Sequence, residues 1–112
     1  MSRGESEETV IHLSRLEEDV LSLLMGRELY SLTILEAGQR ANGGRPLCRV
    51  GSLYHVLYRL EKKGLVRAWW GDDLPEERLG ARRRYYTATG LGAQVLAAYE
   101  QRRQQFAQWQ PA

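Results

Sequence analysis

The stretch that decides the fold is VGSLYHVLYRLEKKGLV, residues 50–66. Leu53, Val56, Leu57 and Leu60 recur at helical spacing, so one face of the segment is apolar and requires burial against other elements. The opposite face carries Ser52, Tyr54, His55, Tyr58, Arg59, Lys62 and Lys63. These hydroxyls, imidazole and positive charges are the groups a helix uses when it lies on a nucleic-acid duplex. Gly51-Ser52 reads as N-terminal punctuation with Ser52 as the cap, and Gly64 as the stop after a basic last turn. The free N–H groups and partial positive charge of such a helix start can hold a DNA phosphate.

Upstream, Ser14-Arg15-Leu16-Glu17 matches a capping box, and Leu16, Val20, Leu21, Leu23 and Leu24 follow as an apolar face that ends at Met25-Gly26-Arg27. Leucines on more than one side of this helix predict contact with both its own core and a second subunit. Glu28 to Ser31 reads as a turn, with Ser31 the cap of a second helix that buries Leu32, Ile34, Leu35 and Ala37 and stops near Ala41. Asn42-Gly43-Gly44-Arg45-Pro46 then forms a loop before the third helix, which enters after Leu47-Cys48-Arg49.

Downstream of Gly64 the period changes. Leu65 to Trp70 and Arg82 to Thr87 are β-branched and aromatic strand candidates, and Gly71 to Ala81 between them has the Gly, Pro and charge of a hairpin tip. The fold class is therefore mainly α with a small antiparallel β-hairpin, a winged helix-turn-helix. A final helix starts at Thr89 and runs to about Gln108. Within it Val95, Tyr99, Arg102, Phe106 and Trp109 have the spacing of a coiled-coil seam, while Leu91, Leu96 and Ala98 lie on sides that can dock on the winged domain.

Tyr99, Phe106 and Trp109 are too large and apolar to stand in water on a lone helix. They either contact a second copy or pack on a core that the first three helices already fill. With Leu16, Val20 and Leu24 of the first helix, the seam makes up the expected dimer interface. The chain divides into an N-terminal arm (1–12), a winged domain (13–88) and a C-terminal dimerisation helix (89–110).

A chain of 112 residues is one domain with a modest core. Its net charge of +2 hides an asymmetry: Met1 to Arg40 hold eight acids against four bases, and the remainder twelve bases against six acids. A basic C-terminal two-thirds points toward a polyanion, although charge runs are often only solvated faces. Cys48 is the single cysteine, so no internal disulfide forms; it is either inert or a redox sensor. No apolar run approaches the ~20 residues of a membrane span, and the expected setting is the cytoplasm. His12 and His55 are the only histidines and lack metal spacing, and no Gly-rich phosphate loop follows a strand. Neither catalysis nor a cofactor is expected.

Three stretches together resemble the PadR family of bacterial transcriptional regulators: residues 26–32 (GRELYSL), GSLY at 51–54 leading into LYRLEKKGLV at 57–66, and RRRYYTATGLG at 82–92. The resemblance covers Leu13 to about Tyr99. It implies homodimers with first and last helices interlocked, and repression by binding an inverted repeat in a promoter. His55 stands where the family commonly has proline, and Ser31 where it commonly has glycine. The end soon after one terminal helix resembles the short subgroup. Residues 26–30 and 71–78 resemble cyanobacterial members, which implies a target among circadian clock genes.

In that setting the third helix enters the major groove of double-stranded DNA with Ser52, Tyr54 and His55 nearest the bases or flanking phosphates. Ser31 and Arg49, at the two helix starts, join the candidate contacts. Arg59, one turn on, reaches a phosphate or a guanine edge, so its loss should weaken binding and flatten its salt dependence. Tyr58 is equally well read as a core-edge residue. Arg78, Arg82 and Arg83 of the wing would touch phosphates or the minor groove, with strand alternation placing Arg82 and Arg84 on one face and Arg83 on the other. Asp72, Asp73, Glu76 and Glu77 oppose that contact.

Two other readings compete. The acidic wing with Trp69, Trp70 and Trp109 fits a protein-interaction module, since fold does not dictate function. The resemblance also implies a ligand-gated repressor, with Trp109, Phe106 and Tyr99 lining a site for an aromatic small-molecule effector.

Overall fold

A computed structural model describes residues 11–72 and 82–111. In chain order the elements are α1 (Arg15–Leu23), β1 (Leu29–Tyr30), α2 (Ser31–Ala41), α3 (Val50–Lys62), β2 (Val66–Trp70), β3 (Arg84–Ala88) and α4 (Gly90–Gln108). Residues 1–10 of the expected arm and most of the expected hairpin tip, Arg78 included, lie outside the described residues.

The capping box is present in both halves. Ser14 Oγ accepts from the Glu17 amide at 3.1 Å, and Glu17 Oε1 accepts from the Ser14 amide at 2.7 Å. The caps expected at Ser31 and Ser52 are displaced. α2 begins at Ser31 itself with Tyr30 at the cap position, where Thr33 Oγ1 accepts from the Tyr30 amide at 3.0 Å and donates to its carbonyl at 2.8 Å. α3 begins at Val50, two positions before Ser52, and its cap residue Arg49 makes no side-chain capping bond. Gly64 ends α3 as expected: at φ +76° it lets its own amide reach Glu61 O and the Leu65 amide reach Leu60 O. That pair of bonds is a Schellman closure, which only a left-handed residue permits.

The sheet has three strands, ordered β1-β3-β2 and antiparallel throughout, where a two-stranded hairpin was expected. Leu29–Tyr30, read as a turn, pairs with Tyr85 and Tyr86. Two residues are too few to show a strand period, and their partner lies far along the chain. Register sets Leu29, Tyr86 and Ala68 in one row and Tyr30, Tyr85 and Trp69 in the next. Alternation turns the first row to the core, where Tyr86 is buried, and the second outward.

Val20, Leu21 and Leu24, Ile34 of α2, the four apolar residues of α3, and Leu65, Val66 and Tyr86 form one core. α4 is tied on at its first turn: Thr89 Oγ1 accepts from the Gly92 amide at 3.1 Å and donates to Gly64 O at 2.7 Å, while the Thr89 amide donates to Leu65 O at 2.9 Å. Val95 and Leu96 pack on the core, whereas Leu91 is exposed. Cys48 is half-buried, and burial pushes its thiol pKa up, opposite to the shift that activates a redox cysteine.

Candidate nucleic-acid interface

α3 presents a two-sided surface because its apolar residues fall on one stripe. Leu53, Val56, Leu57 and Leu60 are buried, while Ser52, Tyr54, His55, Tyr58 and Arg59 face outward. Tyr54 is 50% exposed, and its hydroxyl donates to Ser31 Oγ at 3.1 Å. That bond joins the start of α2 to the first turns of α3, so two sequence-named contacts sit side by side. Arg49 is exposed immediately before α3, next to a helix start that its own side chain leaves uncapped. Such a start offers backbone donors and a favourable dipole to a phosphate oxygen.

The surface continues onto the sheet through half-buried residues. The Arg83 guanidinium lies 4.7 Å from the centre of the Tyr30 ring, the residue before Ser31. Arg82 and Arg84 both lie over Trp70, at 5.7 and 5.1 Å, so the alternation read from the sequence is realised. Arg82 also donates to Gly71 O at 3.4 Å, and Arg84 pairs with Glu61 of α3 at 3.2 Å. Sequence reasoning missed the outward row that supports Arg83. Tyr30 meets Tyr85 edge-on at 5.5 Å, Tyr85 stacks with Trp69 at 6.0 Å, and Arg67 caps Trp69 at 4.5 Å. The aromatic character of each strand was legible, but their alignment needed the register.

Arg59 is placed differently from the expectation. Its Nε donates to Glu17 Oε2 at 3.1 Å, and Lys63 Nζ donates to the same oxygen at 3.0 Å. Glu17 is buried, and although burial raises its pKa, the Ser14 amide and the two cations outweigh that and hold the carboxyl below its usual value. Glu17 was read only as a helix cap. Its partners stand more than forty positions away, beyond any local pattern.

The expected dimer residues divide. Val20 and Leu24 are 0% exposed within the chain's own core and offer no surface to a partner, which corrects that part of the reading. Leu16 and Val95 pack against the same core. Tyr99 Oη accepts from the Leu13 amide at 2.6 Å and donates to Ile11 O at 3.4 Å, so it ties the N-terminal segment to α4. Beyond it, Arg102 lies 4.5 Å over the Phe106 ring, and Phe106 and Trp109 are 67% and 70% exposed. Earlier along α4 a groove of about 470 Å³ is lined by Ile11, Leu91, Val95, Ala98, Tyr99 and Arg102. With Phe106 and Trp109 so exposed, the three aromatic residues expected to line an effector site do not enclose one within a single chain.

Residues 20–98 match the model of the transcriptional regulator PadR-like family. The chain belongs to that family. It is a PadR-like transcriptional regulator, and the family's members regulate transcription and are not enzymes. It is 32% identical over 83 residues to an uncharacterized protein of Lysinibacillus sphaericus, across 73% of this chain and 72% of that one. A PadR-like transcription factor structure from Bacteroides fragilis is similar with 26% identity, 82% coverage of both chains and a TM-score of 0.70. A PadR family regulator from Eggerthella lenta is similar with 27% identity and a TM-score of 0.66, over 82% of this chain and 74% of that one.

The fold alone is also shared with Bacillus subtilis PadR in complex with operator DNA. The identity there is 20% and the TM-score 0.66, over 90% of this chain and 51% of that one. The four helices and the small three-stranded antiparallel sheet thus match the PadR winged helix fold. The clock-gene resemblance gains no support from these relatives. Among the described residues no helix is long and apolar enough to cross a membrane.

Proposed function

We propose that this PadR-like regulator is a homodimeric repressor that binds an inverted repeat in promoter DNA. The observation that carries the proposal is the outward face of α3, where exposed Ser52, Tyr54 and His55 adjoin half-buried Ser31 at the start of α2 through the Tyr54–Ser31 hydrogen bond, with half-buried Arg83 over the Tyr30 ring next to it. Ser52, Tyr54 and His55 lie in the first half of α3, the part of a recognition helix that meets base edges. Arg49, exposed just before α3, is set for phosphate contact, and Arg82 and Arg78 belong to the same proposal by their place in the sequence. Operator DNA bound to the Bacillus subtilis protein supports the reading.

Dimerisation is supported by Phe106 and Trp109, large apolar side chains that their own chain leaves exposed near the end of α4, and by the open apolar groove between α4 and Ile11. A two-fold pair places two copies of α3 about 34 Å apart, one duplex turn, and so calls for an inverted repeat. Occupying such a site in a promoter blocks transcription from it.

A gel-shift titration with the chain's own upstream region, at several salt concentrations and against unrelated DNA, tests the proposal. Binding to one site at least about a thousandfold tighter than to unrelated DNA is expected. Equal, weak, salt-labile binding to both would instead favour the protein-docking reading. Tyr54→Ala is expected to reduce operator affinity by about 1–3 kcal/mol while leaving the fold intact, since the ring is half in solvent. The paired change Phe106→Glu with Trp109→Glu is expected to yield monomers by sedimentation at micromolar concentration; a dimer that survives it does not form through this end of α4.

A further inference from the structure

Three positively charged residues stand at the end of α3: Arg59 and Lys62 within it and Lys63 at its C-cap. Lys62 lies over the Tyr58 ring at 5.4 Å, on the exposed surface. The other two turn back toward α1. Both hold the same oxygen of Glu17, whose side chain is 4% exposed while those of Arg59 and Lys63 are 48% and 31% exposed. Lys63 Nζ also donates to His12 O at 2.8 Å, which fixes it further from the duplex-facing side.

The strength of the hold follows from this difference in burial. A carboxylate removed from water attracts a cation more strongly than a phosphate oxygen at a solvated surface does, because solvent no longer screens it. Moving Arg59 from Glu17 to a phosphate would exchange the desolvated partner for a hydrated one and leave a buried charge short of a cation. Glu17 itself has no freedom to follow: its other oxygen is committed to the Ser14 amide at 2.7 Å.

Resting on the DNA-binding reading above, we propose that Glu17 is a positioning residue that withholds Arg59 and Lys63 from DNA, confining the contacts of α3 to its first half. The sequence-independent part of the affinity is thereby kept low. Base contacts from Ser52, Tyr54 and His55 then weigh more in the choice of site. Each phosphate neutralised contributes about 0.9 to the slope of log K against log salt concentration, so the number of cations released onto DNA is directly countable.

The test measures that slope for the full chain on operator and on unrelated duplex DNA. Glu17→Gln keeps an acceptor for the Ser14 amide but removes the charge that holds the cations. It is expected to steepen the slope by about one to two units on both DNAs and to raise affinity for unrelated DNA about threefold or more. Adding Arg59→Met and Lys63→Met to Glu17→Gln is expected to return the slope to the wild-type value. A purely structural role for Glu17 would lower affinity without steepening the slope, and that result overturns the inference. Arg59→Met in the otherwise native chain tests the point without touching Glu17: an unchanged slope is expected, and a slope shallower by about one unit overturns it. Wild-type protein that does not bind DNA overturns the proposed function and this inference together, whereas wild-type binding with native slopes in every Glu17 variant overturns only the inference.

Discussion

Gly92→Ala is expected to cost about 3 kcal/mol of stability and lower the melting temperature by about 15 °C. A Cβ at this buried position would stand 2.3 Å from the Leu65 carbonyl oxygen and 3.2 Å from Leu21 Cδ1. The leucine methyl can give way by a few tenths of an ångström. The carbonyl cannot, because it accepts from the Thr89 amide at 2.9 Å while the Thr89 hydroxyl holds the neighbouring Gly64 carbonyl at 2.7 Å. Relief therefore requires lifting the first turn of α4 off the end of α3. Gly90→Ala, two positions earlier on the same helix with nothing within 4 Å of its Cβ, supplies the control and is expected to be neutral or slightly stabilising. Thermal melts of the two variants by circular dichroism read the contrast; equal melting temperatures would show that α4 docks with more slack than this geometry allows.

The second large effect concerns the two cations on Glu17. Arg59→Met combined with Lys63→Met leaves a carboxylate that is almost wholly buried with only the Ser14 amide as partner. Breaking a buried pair from one side costs about 3 kcal/mol, at the low end of the range here because the cations themselves are partly in solvent. The reverse removal, Glu17→Gln, leaves two cations that water can reach and costs less. In the native chain burial works against ionisation of Glu17, but the hydrogen bonds from Ser14, Lys63 and Arg59 prevail and its pKa is lowered. A lowered folded-state pKa means that the stabilisation is complete above the unfolded value of about 4.3 and is lost as pH falls through the folded value.

In the double variant burial is opposed by the Ser14 amide alone, so the carboxyl pKa lies higher than in the native chain and less stability is lost when it is protonated. The difference in stability between native and variant chains is thus expected to be largest near neutral pH and to shrink toward pH 4. Denaturant melts across that range measure it. A difference that stays constant with pH would mean that Glu17 is not the group through which these two substitutions act.

Local chemistry made much of the fold readable. Leu53, Val56, Leu57 and Leu60 form a stripe with one period, Ser14 and Glu17 form a box with fixed spacing, and Gly64 closes α3 with a positive φ. Thr89 caps α4 for the same reason, since cap and amide are three positions apart. Arg82 and Arg84 lie over Trp70 and Arg83 over Tyr30, the alternation expected of a strand, although β3 itself starts only at Arg84. The errors also have a common cause. Ser52 looked like a cap because serine competes well for that position, yet the cap of α3 falls three residues further upstream, at Arg49. Leu29–Tyr30 showed no strand signal because its only support is pairing with β3.

What the amino-acid order determined alone is whatever depends on neighbours within about one helical turn or on strand alternation: the kinds of element, their main stops, and which side of α3 is apolar. The tertiary structure decided every property that depends on distant charges or backbones meeting. Val20 and Leu24 are interior because α3 and the sheet close over them, although their helix spacing alone would serve an interface equally well. Ser31 meets Tyr54, Tyr30 meets Tyr85, and Arg59 and Lys63 are drawn to Glu17 only once three helices have buried that carboxylate. Burial changes how strongly a charge attracts, and burial is a property of the assembled chain.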